Sequence, residues 1–261
     1  MKIIYLLTLF FGGTTLVFGQ NQLKIDSLNS VLNTDITNQN KVNIYNFLAN
    51  EYVKVDSQKV AQYATKAAQL AKSINYQEGI SDALYQMGSL NQQKGHYKPA
   101  IRFFEQSLET AKKTNYLAGV AQAFQGIGSS HMLMSNYPES FRYYTQALKL
   151  LEKAGFPSSL ALIYDKIGGL LSVQGKYPEA LKYFNKALAI NLKKNDQKHL
   201  ATNYGQIGVV LAKQGNFAKA REYFEQALVM KNKVGDKAGA AKLYMNIGNI
   251  YGIQGNYPKS I

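Results

Sequence analysis

The chain has 261 residues, 46% hydrophobic and 18% charged, a composition that folds and is not that of a disordered segment. It contains no Cys, which excludes a disulfide scaffold, a thiolate metal site, a Cys nucleophile and the lipid-bearing Cys of a bacterial lipoprotein. Net charge is +14, but only Arg102, Arg142 and Arg221 carry the bidentate fork that reads base edges, so no nucleic-acid partner is expected.

Met1-Lys2 is a short positive start, and Ile3 to Phe11 is an apolar run. Val17-Phe18-Gly19 then sets small or modest residues ahead of Gln20. This three-part order predicts a signal peptide over residues 1–19 and an exported mature chain, periplasmic or extracellular. Gly12, Gly13, Thr14 and Thr15 interrupt the run and make it a poor membrane span, and no later stretch is expected to cross a bilayer. Residues 20–40 are expected to form an N-terminal capping segment, with Leu23, Ile25, Leu28, Val31 and Leu32 on a short amphipathic helix.

From residue 41 the chain repeats itself every forty residues. Gly88, Gly128, Gly168, Gly208 and Gly248 share one phase, and so do Tyr97, Tyr137, Tyr177, Phe217 and Tyr257. Small residues recur at Ala100, Ser140, Ala180, Ala220 and Ser260, and aromatics at Phe104, Tyr144, Phe184 and Phe224. The expected units are 41–80, 81–120, 121–160, 161–200, 201–240 and an incomplete 241–261. The first is degenerate, with Leu48 at the Gly position, Ser57 at the Tyr position and Val60 at the small position.

Each unit reads as two helices. Phe124, Ile127, Gly128 and His131 mark one helical face, and Phe141, Tyr144, Ala147 and Leu148 the inner face of the next. Pro138, Pro178 and Pro258 suit a first helical turn, where the missing N–H costs nothing. Gly155, Gly235, Asn75, Asn115 and Asn195 suit the left-handed residue after a helix, and Lys residues crowd the turns before them, where cations complement the helix dipole. Gly inside a helix costs about 1 kcal/mol against Ala, so the Gly column predicts a close approach to the small residue twelve positions on.

The order of Tyr164, Ile167, Gly168, Leu171, Gly175, Tyr177, Ala180, Phe184 and Ala187 resembles the tetratricopeptide repeat, over about residues 41–261. The forty-residue period is similar to the subclass found in Leu-Gly-Asn repeat scaffolds and bacterial quorum-type regulators. Ile247-Gly248-Asn249 is the nearest approach to that triplet; Ser129, Gly169 and Val209 replace the Asn elsewhere. The arrangement is also similar, more loosely, to the extracytoplasmic sensor region of bacterial two-component kinases. The resemblance implies an all-α, right-handed superhelical solenoid of antiparallel helix pairs that binds a protein or peptide in the groove lined by first helices.

No catalytic chemistry stands out. His96, His131 and His199 are scattered, and Gly126-Ile127-Gly128-Ser129 falls mid-helix with no strand before it, so it is not a phosphate loop. No catalytic, cofactor or metal residue is expected, and no cofactor. The candidate partner-binding groove is the non-core stripe of the first helices, with Asp82, Tyr85, Gln92, Gln122, Gln125, Met132, Asp165 and Asn249 as its leading residues. Ser89, Ser129, Leu162, Gly169, Ser172, Thr202, Gly205, Val209 and Ala212 continue it. The expected function is a non-catalytic interaction scaffold. The alternative is the sensor region of a signalling protein, a kinase or cyclase, whose catalytic part lies beyond residue 261. Self-association through the incomplete last unit is a further expectation.

Overall fold

The computed structural model describes residues 15–53 and 55–255, with side chains from Gln22 on. Among the described residues there are twelve α-helices and no strand. They are α1 (Thr15–Leu32), α2 (Asn38–Tyr52), α3 (Ser57–Ser73), α4 (Gln77–Gln93), α5 (Tyr97–Lys113) and α6 (Leu117–Leu133). They continue as α7 (Tyr137–Ala154), α8 (Pro157–Val173), α9 (Tyr177–Lys193), α10 (Gln197–Lys213), α11 (Phe217–Lys233) and α12 (Lys237–Ile253).

The chain divides into two compact bodies, residues 21–156 and the described residues from Pro157 on. In the first, α2 packs on α3, α4 on α5 and α6 on α7; in the second, α8 packs on α9 and α10 on α11, with α12 following. Each body is a stack of antiparallel helix pairs. The turns that make it so are written in the sequence. First helices end in a left-handed residue at Gly95, Ser135, Gly175, Gly215 and Gly255, and second helices at Asn75, Asn115, Gly155, Asn195 and Gly235. After α4, the His96 N–H donates to the Asn91 carbonyl at 2.9 Å and the Gly95 N–H to the Gln92 carbonyl at 3.0 Å, so two orphan carbonyls are satisfied as the chain reverses.

The Gly column is a packing device, and its chief partner is not the small residue expected. A Cβ on Gly168 would stand 2.7 Å from the Phe184 ring, and on Gly88 2.5 Å from the Phe104 ring. At Gly128 and Gly208 the rings of Tyr144 and Phe224 come first, and the carbonyls of Ser140 and Ala220 second, at 3.3 and 3.2 Å. A flat aromatic therefore lies on bare backbone, sixteen positions along, and all four rings are fully buried. The degenerate first unit keeps the same volume by exchanging the two roles. Leu48 stands in the Gly column and Ala64 in the aromatic column, and both are wholly buried in one cluster.

Two sequence expectations need correction. Phe141 was placed on an inner face, but it is 40% exposed, whereas Tyr144 and Ala147 are fully buried. On α1, Ile25 is buried with Leu28 and Leu32 packed beside it, while Leu23 and Val31 face outward. A single-helix pattern shows that an apolar side exists, but not which flank the neighbouring helix leaves open. Residues 1–14 of the expected leader and 256–261 of the last unit lie outside the described residues. α1 spans the expected cut before Gln20. No helix among the described residues is long and apolar enough to cross a membrane.

Candidate partner-binding site

The stripe expected on the first helices is partly surface and partly core. In the first body, Gln122 is exposed on α6, and Gln125 and Met132 are half-buried on the same helix. Met132 accepts from the Tyr144 hydroxyl at 3.9 Å, and Ser129 shares a 3.0 Å hydrogen bond with that hydroxyl. Tyr85 leans on Phe104 with ring centroids 5.2 Å apart. Gln92 ties α4 to α6 by donating to Ser130 Oγ at 2.8 Å. Asp82 accepts from the Tyr116 hydroxyl at 3.4 Å, its other carboxylate oxygen is buried without a partner, and burial raises its pKa to about 6.

In the second body Asn249 is exposed on α12, but Asp165 is not a groove residue. It is only 7% exposed and ends a buried polar chain. Asn191 donates to Asn203 Oδ1 at 2.7 Å, and Asn203 donates to Asp165 Oδ1 at 2.5 Å. Burial pushes the Asp165 pKa up to about 7, opposed by the nearby Lys166 charge and the Asn203 hydrogen bond. Asp165 thus stands in a variable column yet is packed against α10 and not solvated.

Much of the rest of the stripe in this body, though not Leu162 or Ala212, lines a cavity of about 470 Å³. Gly169 and Ser172 of α8, Thr202, Gly205 and Val209 of α10, and Lys242, Leu243 and Asn246 of α12 line it. Phe184 forms part of the wall, beside the Lys231–Asp236 ion pair at 2.6 Å. The Lys231 hydrogen bond is the main cause of a lowered Asp236 pKa. Sequence reasoning found the α8 and α10 sides and missed the α12 side. The available signal was Gly169 and Gly205, the two glycines of the stripe outside the fixed Gly column. Among the described residues no group of three or more His, Asp or Glu side chains could hold a metal ion.

One family model of the tetratricopeptide repeat matches residues 119–193 and 199–261, more than half of the chain, and a second matches 81–114. The chain belongs to the tetratricopeptide repeat family. Among solved structures, this repeat protein is similar to BtubC (BKLC) from P. vanneervenii, at 16% identity and TM-score 0.69 over 79% of this chain and 87% of that one. It is similar to a signal-transduction ATPase with numerous domains carrying a tetratricopeptide repeat sensor, from Pyrococcus horikoshii, at 18% identity and TM-score 0.66. That match covers 94% of this chain and 38% of the ATPase. It is also similar to a Rap protein complexed with competence and sporulation factor, at 14% identity and TM-score 0.65 over 95% of this chain and 74% of that one. These likenesses are ones of fold. A comparison with curated proteins finds no match.

Proposed function

We propose that this tetratricopeptide repeat protein is an exported, non-catalytic scaffold, periplasmic or extracellular, that binds a protein or peptide partner on the face formed by its first helices. The observation that carries the reading is the open cavity of about 470 Å³ on that face, lined chiefly by residues of α8, α10 and α12. The cavity falls within the roughly 300–1,000 Å³ of ligand pockets. The Rap complex adds support by analogy of fold alone. Export rests on the leader-like residues 1–19; intact mass of the secreted or periplasmic protein beginning at Gln20 is the expected result, and retention of residues 1–19 would refute it.

The partner test is site-specific photo-crosslinking. A photoreactive residue at Thr202 or Asn249, both exposed on first helices of the second body, should capture the partner; the same group at Lys182 or Glu222, exposed on its second helices, should not. Capture from the second-helix positions alone would overturn the assignment of the face. A second reading, the input region of a signal-transduction protein, is favoured by the repeat sensor of the Pyrococcus horikoshii ATPase. Kinase, cyclase or ATPase motifs in the same reading frame would support it, and a stop codon with no such motifs would remove it. Self-association belongs to the same proposal: Tyr244 and Met245 on α12 are 58% and 67% exposed, and a monomer at all concentrations would exclude it.

A further inference from the structure

Two kinds of glycine sit inside these helices. Gly88, Gly128, Gly168 and Gly208 of the fixed column have a ring against them, so the fold explains their cost. Gly169 and Gly205 have no such reason. A Cβ on Gly169 would meet nothing within 4 Å, and one on Gly205 would meet only Leu243 Cδ2, at an ordinary 3.6 Å. Each still carries the helix penalty of about 1 kcal/mol. Their structural consequence is empty space: the positions one and two units earlier hold Ser129 and Ser89 in the column of Gly169, and Asp165 and Gln125 in that of Gly205. The cavity exists because two side chains are missing from the stripe.

The lining says what fits. Phe184, Val209 and Leu243 supply apolar wall. Gln206 lines the same cavity, and its Oε1 is buried with no hydrogen-bond partner. Lys242 stands at the cavity with no ion-pair partner among the described residues, in contrast to Lys231, which Asp236 neutralises. The surrounding body is basic, with fourteen Lys and Arg against six Asp and Glu over residues 157–255. Of those acids Asp165 is buried, and Asp196 and Asp236 are paired within the chain.

We propose that this two-glycine cavity is the specificity pocket of the partner-binding face, accepting one apolar side chain of an acidic peptide segment whose carboxylate pairs with Lys242. The peptide backbone supplies the N–H that Gln206 Oε1 lacks, which a free small anion does not. The proposal rests on the scaffold reading above and names the chemistry of the partner.

The test uses fluorescent peptides with a central Leu or Phe, flanked by Asp and Glu, by Lys and Arg, or by Ser and Asn, with ATP as a small-anion competitor. The whole chain should prefer the acidic set. Gly169→Leu with Gly205→Leu should weaken it by about tenfold or more without lowering the melting temperature, and Lys242→Glu should abolish the charge preference. Gly205→Leu alone is the second variant should the pair misfold. Unchanged acidic-peptide binding by the filled variants would overturn the pocket while leaving the scaffold reading to the crosslinking result. Binding without charge preference, binding of ATP in place of peptide, or no binding by any set would each overturn it as well.

Discussion

At the scale of single residues, adjacent glycines have opposite physics. A methyl at Gly168 would lie 2.7 Å from the ring of buried Phe184, and overpacking of that kind costs about 1–3 kcal/mol, more than the better helix propensity returns. A methyl at Gly169 meets open space and gains up to about 1 kcal/mol of helix stability. Gly168→Ala should lower the melting temperature and Gly169→Ala should raise it. Thermal unfolding followed by circular dichroism checks this, and shifts of the same sign would mean that the two sites are not packed as described. The forty-residue spacing made Gly168 legible. It could not tell that Gly169 borders a cavity, because an absent side chain leaves no periodic mark.

At the scale of helices, the polar chain from Asn191 to Asn203 to Asp165 joins α9, α10 and α8 through the interior. None of it was legible: each residue falls in a column that other units fill differently, so pairing across 38 residues has no repeat to announce it. The burial of Asp165 has a pH consequence. Its folded-state pKa of about 7 lies above that of an ordinary carboxylate, so folding favours the protonated form. The associated stability is full below about pH 4 and is lost as pH rises through about 7, by at most about 4 kcal/mol. Asp165→Asn keeps an acceptor for Asn203 and removes the charge. The variant should melt above wild type at pH 8, with the gap closing toward pH 4. A gap constant with pH would show that Asp165 is not held as a buried carboxyl. The opposite lesson comes from Leu48 and Ala64, where the volume exchange keeps a helix pair intact although both signature residues are gone.

At the scale of the whole molecule, the fold was the most legible property. Five columns in one phase fix the helix pairs, because the turn residues and the ring-on-glycine contact recur in the four units that carry Gly88, Gly128, Gly168 and Gly208. The proposed binding face was legible only as the positions the core does not use, and its expected residues divide between surface, such as Gln122 and Asn249, and interior, such as Asp165. The central claim is that a partner engages the first helices. Hydrogen exchange of the full chain, alone and with the partner recovered by crosslinking, tests it most directly. The account predicts slowed exchange in α8, α10 and α12, with α5, α9 and α11 unchanged. Slowing confined to α5, α9 and α11 would contradict it.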